Sequence, residues 1–232
     1  MMDKVAVYAC TRNMYEQMYV CLKSLLANTK MDKVYLLIED DEFPYKVPDI
    51  VHVANVSGQK FFLPGSPNYS NPWSYMAMLR CVLSFILPEE RVLWLDCDTI
   101  VNEDISDLFD INMDGCYYAG VMEPQKSRDI FRYINSGVLL CNLSLLRDTQ
   151  KEVELAYFLN NFRFVWADQE VINLLCQGHI RTIDSEYNQN AFTLQCIRPR
   201  IIHYAAVKDF KNDWAYQMYA NMDLFKEEQK DE

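Results

Sequence analysis

Asp96 and Asp98 stand two residues apart behind the apolar run Val92-Leu93-Trp94-Leu95. On an extended backbone alternate side chains share a face, so both carboxylates project to one side while Cys97 turns to the other. Paired carboxylates repel one another unless a cation lies between them. A divalent ion held by oxygen ligands and bridging to a diphosphate is the chemistry that this spacing suits. The alternative is a strand-to-turn junction where the aspartates only cap and turn. Arg80 is the one charged side chain between Trp73 and Leu87, and a guanidinium in such surroundings needs a carboxylate or phosphate partner unless it reaches solvent. His203 lies in Ile201-Ile202-His203-Tyr204, where a hydrogen-bonded core residue and a metal ligand both fit. Asp168 precedes the helical stretch Gln169 to Cys176 and reads as its N-cap. Asn135-Ser136-Gly137 reads as a turn.

Such residues need a scaffold, and the chain of 232 residues is half hydrophobic and 24% charged, enough apolar material for a large core. Val5 to Ala9 is a short β-rich run, after which Met14, Met18, Leu22 and Leu25 recur at helical spacing. Further strands are expected at Val34 to Ile38, Ile50 to Val56, Arg91 to Leu95, Tyr117 to Val121, Val138 to Cys141, Arg181 to Ile183 and Ile201 to Tyr204. Helices are expected at Trp73 to Leu87, Lys151 to Asn161 and Gln169 to Cys176. Strands alternating with helices predict an α/β domain, whose ligands sit beyond the carboxyl ends of the strands, where Asp96 falls. The Gly-, Pro-, Ser- and Asn-rich stretch from Ser57 to Pro72 predicts a long loop, a candidate lid or acceptor wall.

The net charge of −11 disfavours nucleic acid, because such a surface repels polyanions in bulk. Eight cysteines without a C-x-x-C pair, most of them inside apolar runs, suit a reducing compartment. No signal-peptide pattern and no transmembrane run is present, so a cytoplasmic location is expected, and the acidic stretch from Phe225 to Glu232 argues against a membrane anchor.

Taken together, the segments VLWLDCDTIVNEDISDL (Val92 to Leu108), YINSGVLLCNL (Tyr133 to Leu143), ADQEVINL (Ala167 to Leu174), Tyr187-Asn188 and Ile201 to Tyr204 resemble, in order, blocks of glycosyltransferase family 8. This retaining group includes glycogenin and bacterial lipopolysaccharide galactosyl- and glucosyltransferases. The resemblance implies a GT-A fold, a Rossmann-like, mixed but mostly parallel sheet flanked by helices in one domain. Residues 1–100 would form mainly the nucleotide-binding half, 101–210 the sugar and acceptor half, and 211–232 a helical or disordered extension. It further implies Mn²⁺, or Mg²⁺, on Asp96, Asp98 and His203, and a UDP-sugar donor. Ala9, Thr11 and Asn13 would hold uracil and ribose. Arg80, Cys97 and Lys208 would lie at the sugar nucleotide, and Asn135 and Asp168 at the sugar hydroxyls. Gln169 would sit under the anomeric carbon, so that Gln169 and Asp168 become the expected catalytic pair. The implied acceptor is a hydroxyl of a glycan, protein or polyol.

Two departures stand out. Ala206 occupies a position where the family often has glycine, with Lys208 one residue early, and Arg12 and Met14 alter the N-terminal loop. A sugar-nucleotide-binding relative without turnover is one alternative. An aspartyl-phosphate phosphatase, suggested by Asp96-Cys97-Asp98-Thr99-Ile100, is another, although no GD-x-x-x-D follows. A sugar nucleotidyltransferase is disfavoured because Val5 to Arg12 contains no glycine.

Overall fold

Four strands lie side by side and run the same way: β1 (Val5–Ala9), β2 (Lys33–Ile38), β3 (Val51–Asn55) and β4 (Arg91–Leu95). Parallel strands are covered on both faces and therefore read as unbroken apolar runs, which is why these were visible in the sequence. β5 (Thr99–Val101) is a short strand outside this sheet, and β6 (Tyr118–Met122), β7 (Ile134–Asn142), β8 (Ile180–Ile183) and β9 (Ile201–His203) follow. The main sheet has seven strands in the order β3-β2-β1-β4-β7-β6-β8, and only β7 runs against its neighbours. β5 and β9 form a second, two-stranded sheet. The structure is a computed structural model that describes residues 3–70, 74–128 and 131–225; Trp73, the last two residues of the expected 57–72 loop and most of the acidic terminal stretch lie outside them.

The two faces of the sheet carry separate cores. Val5, Val7, Val92 and Trp94 point to one, with Leu139 of β7, while Ala6, Tyr8, Leu93 and Leu95 point to the other, the period-two alternation that a pleated strand imposes. α1 (Tyr15–Asn28) covers the second face through Met18, Leu22 and Leu25. α4 (Leu143–Thr149), α5 (Lys151–Asn161) and α6 (Ala167–Leu175) cover the first, and α7 (Trp214–Ala220) packs on α1. The expected C-terminal extension is thus helical over Trp214–Ala220. Among the described residues no helix is long and apolar enough to cross a membrane.

Three expectations are corrected. The helix predicted over 73–87 is broken into α2 (Ser74–Met78), a 3-10 turn (Leu79–Cys81) and α3 (Leu83–Ile86). In a continuous helix the Ala77 carbonyl accepts from the Cys81 amide; here Arg80 Nε–H donates to that carbonyl at 2.7 Å, because the guanidinium is drawn inward under the sheet end. Second, β7 starts at Ile134, so Asn135-Ser136-Gly137 belongs to a buried strand and not to a turn. Third, none of residues 57–70 reaches the central cavity. That loop is tied down to α5, with Asn68 Nδ2 donating to the carbonyls of Leu159 and Phe162 at 2.6 Å each and Phe62 fully buried.

Candidate active site

The antiparallel direction of β7 builds the site. Its first residues lie beside the last residues of β4, with Leu95 opposite Val138 and the Asp96 amide donating to the Gly137 carbonyl at 2.8 Å. β4 then closes in a tight turn, where both the amide and the hydroxyl of Thr99 donate to the Asp96 carbonyl, at 3.2 and 2.7 Å. The turn leads directly into β5, whose Thr99 pairs with His203 of β9, and the Tyr204 amide donates to the Asp98 carbonyl at 2.9 Å. Three distant segments are thereby brought to one point. The turn is made by the Asp96 backbone carbonyl, and the expectation of an extended strand through Asp98 is corrected: the turn itself brings the two carboxylates together.

His203 Nε2 lies 3.3 Å from Asp98 Oδ1 and 3.9 Å from Asp96 Oδ2, and one ligand atom from each of the three residues falls within 4.8 Å of the others. Burial alone would raise the Asp98 carboxyl, but the imidazole outweighs it and holds it below its ordinary value. Burial likewise works against protonation of His203, and the two aspartates, chiefly Asp98, win and raise it. Gly137 makes room for the ring. A Cβ at that position would stand 2.0 Å from His203 Cε1 and within 2.7 Å of both ring nitrogens.

Arg80, only 2% exposed, is surrounded by protein partners. Its Nη2 meets Asp96 Oδ1 at 2.7 Å, its Nε meets Asp168 Oδ2 at 3.0 Å, and Nη1 donates to the Ser136 carbonyl. The guanidinium also lies over the Trp94 ring, 4.7 Å from its centroid, while Trp94 Nε1 donates to Asp96 Oδ1 at 2.8 Å. The sequence requirement for a carboxylate partner is met twice.

Asp168 does not cap α6, contrary to expectation. The helix starts two residues earlier, at Ala167, the N-cap position is Trp166, and the carboxylate instead takes Arg80 and the Ser136 hydroxyl at 3.0 Å. The entry is strained, because Ala167 has φ +28°, a left-handed value that an L-residue with a Cβ adopts at a cost. That kink turns Asp168 and Gln169 toward the sheet. Gln169 Oε1 accepts from the Ser136 amide at 2.9 Å, and its Nε2 donates to Glu123 and Tyr133 at 3.2 and 3.3 Å.

Burial pushes the Asp168 carboxyl up to about 6; Arg80 opposes this, but Asp96 competes for the same guanidinium and adds its own repulsion. Because the folded-state value exceeds that of an unfolded aspartate, the native protein holds a proton between about pH 4 and 6 that the unfolded chain releases, so this group lowers stability as pH rises through that window. Asp168→Asn is expected to flatten that fall by about 2 kcal/mol. Urea unfolding of metal-free wild type and variant at pH 4.5 and 7 (about the two ends of the window) measures it, and parallel pH slopes would contradict it.

These groups line one cavity of about 310 Å³ at the carboxyl ends of β1 and β4. Ala9, Thr11 and Asn13 from the segment after β1, Arg80, Asp96, Cys97 and Asp98 from the end of β4 and the helix before it, and Asn135, Asp168, Gln169 and His203 all line it. Lys208 is exposed and is not part of the lining. Ala206 is, and its φ of +62° keeps the left-handed backbone that a glycine takes without strain. The sequence reading missed Glu123, Ser136 and Gly137 as site residues. Ser136 and Gly137 stood within a quoted block, whereas nothing local marked Glu123.

The donor set fits a divalent ion, since two carboxylates and one imidazole converge without a protein cation between them. A family model described as Glycosyl transferase family 8 matches residues 5–214. The glycosyltransferase GlyB of Streptococcus pneumoniae serotype 4 is 28% identical over 171 residues, covering 72% of this chain and 41% of its own length. A lipopolysaccharide 1,2-glucosyltransferase of Escherichia coli is 27% identical over 165 residues, covering 59% of this chain and 48% of its own. The chain therefore spans less than half the length of either relative. A crystal structure of the galactosyltransferase LgtC in complex with donor and acceptor sugar analogues superposes with a TM-score of 0.67 at 18% identity, covering 93% of this chain and 95% of that one. It establishes a shared GT-A fold.

Proposed function

The chain belongs to glycosyl transferase family 8, and from that membership we propose that it is a retaining hexosyltransferase that moves galactose or glucose from a UDP-sugar to a hydroxyl of a glycan, protein or polyol. The observation that carries the reading is the convergence of Asp96, Asp98 and His203 in the same cavity that Asn135, Asp168 and Gln169 line. Asp96, Asp98 and His203 would hold Mn²⁺, with Mg²⁺ as the alternative. When bound, the ion supplies Lewis-acid neutralisation of the charge that develops on the departing diphosphate.

The chain's own residues do the rest. Arg80 holds Asp96 and Asp168 apart and in place, so the cavity keeps its shape when the carboxylates are ionised. Asp168 would offer a carboxylate oxygen and Asn135 its second amide N–H to sugar hydroxyls, and the Gln169 carbonyl, oriented by the Ser136 amide, would support the carbon where positive charge develops. Ala9, Thr11 and Asn13 receive the nucleoside. On this reading 1–100 serve chiefly the nucleotide and 101–210 the sugar and acceptor. The eight free cysteines support a cytoplasmic setting.

The test is UDP release from a panel of UDP-hexoses with Mn²⁺, followed by NMR of the product anomer. Turnover that stops on chelation, returns with Mn²⁺ and retains the anomeric configuration is expected. Turnover that survives exhaustive chelation would overturn the reading, and donor binding without UDP release would favour the non-catalytic alternative.

A further inference from the structure

His203 can serve a metal through Nε2 only if that nitrogen carries a lone pair, so its other nitrogen must hold the proton. Without an ion two acceptors compete for the ring's protons, the Asp98 carboxylate 3.3 Å from Nε2 and the buried groups behind the ring at Nδ1, so Nε2 is left free only if the latter hold theirs. His203 Nδ1 lies 2.9 Å from Asn188 Oδ1, which also accepts from Asn190 Nδ2 at 2.9 Å. Asn188 Nδ2 donates to Asn135 Oδ1 at 2.9 Å, and Asn135 Nδ2 donates to Glu123 Oε1 at 2.8 Å. Asn188 is 0% exposed and Glu123 1%, so water does not offer these groups substitutes.

The direction of this chain is set at its far end. An ionised carboxylate only accepts, so Asn135 must turn its amide nitrogen toward Glu123. The Gly137 amide, which donates to Asn135 Oδ1 at 3.0 Å, enforces the same orientation. Flipping Asn135 would set oxygen against carboxylate and nitrogen against an N–H. With Asn135 fixed, its oxygen demands the Asn188 nitrogen, and Asn188 is left presenting an oxygen to His203. That oxygen demands a proton on Nδ1.

We infer that Glu123, Asn135 and Asn188 form a polarity relay that fixes His203 in the Nδ1–H tautomer and so prepares Nε2 for the metal, with Asn188 as the positioning residue. The inference rests on the family 8 reading of Asp96, Asp98 and His203 as metal ligands. It also couples two parts of the site, because Asn135, the expected sugar ligand, is the middle member of the relay.

The experiment measures Mn²⁺ affinity by electron paramagnetic resonance of the free ion, on the whole chain without donor, for wild type, His203→Ala, Asn188→Leu and Asn188→Asp. Asn188→Leu removes the acceptor and is expected to weaken Mn²⁺ about 10- to 100-fold. Asn188→Asp keeps an acceptor for Nδ1–H and should retain Mn²⁺ affinity within roughly threefold of wild type, while its repulsion of Asn135 Oδ1 raises the donor KM. If His203→Ala leaves Mn²⁺ affinity unchanged, the metal-site reading itself fails. If His203→Ala weakens it and Asn188→Leu does not, the relay alone fails. Should Asn188→Leu not fold, the tautomer is read directly in metal-free wild type. Its three histidines give few enough signals for long-range ¹H–¹⁵N NMR above the ring's titration, with His203→Ala assigning the peak. An Nδ1–H ring is expected, and an Nε2–H ring overturns the relay.

Discussion

Gly137→Ala is expected to cut the proposed glycosyl transfer by about a thousandfold or more while leaving the fold intact. A Cβ at this position meets the His203 ring at 2.0 Å, so the imidazole must retreat by roughly 1.5 Å to regain ordinary contact. It has little room to do so, since its backbone is paired to Thr99 and its Nδ1 is tied to Asn188. The alanine has little freedom to retreat, because its carbonyl accepts from the Asp96 amide and β7 is paired to β6 at Ile134 and Leu139, on either side of a bulge. Displacement of a metal ligand by this distance costs two effects at once: roughly 10²-fold from misplacement of the reacting groups, and about a further tenfold or more from weaker ion binding. Mn²⁺ titration and UDP release together check it. A variant with wild-type Mn²⁺ affinity and turnover would show that the ring does not need this space.

Arg80→Met should be the most destabilising single change at the site. The guanidinium is buried between Asp96 and Asp168, and its loss leaves two carboxylates facing each other without a cation. Breaking a buried ion pair from one side costs about 3–5 kcal/mol, because the remaining charge stays desolvated. For a chain of this size that corresponds to a melting temperature lower by roughly 10 °C. Arg80→Lys should fall between, as it keeps the charge but cannot serve Asp96, Asp168 and the Ser136 carbonyl at once. Differential scanning calorimetry of metal-free protein measures the series. Equal melting of wild type and Arg80→Met would mean that the ion pairs contribute nothing net.

What could be read from the sequence follows the range over which its causes act. β1 and β4 are nearly continuous apolar runs and were placed to the residue, as was α5. The paired aspartates were legible because they are near neighbours in sequence, although the tight turn after β4, and not strand alternation, brings them together. The break at Arg80 was not, since it arises from partners on β4, β7 and α6 that draw the guanidinium inward against helical periodicity. Asn135-Ser136-Gly137 carries turn residues, yet antiparallel pairing with β4 makes it a strand. Asp168 looks like a cap by position and is an ion-pair partner by location. Glu123 has no local signature, and Asn188 stands in the Tyr187-Asn188 block without any sign of its role. Their roles exist only as buried hydrogen bonds between segments, and single-chain spacing does not encode these.

The two-stranded β5–β9 sheet also sets how late in synthesis the site can assemble. All seven strands of the main sheet are encoded by Ile183, yet the third member of the Asp96, Asp98 and His203 cluster comes only with Ile201–His203. A nascent chain halted between these points would have its scaffold and its paired aspartates but no imidazole, and β5 would expose an unpaired edge. The three-residue cluster is thus completed only after the whole main sheet has been synthesised.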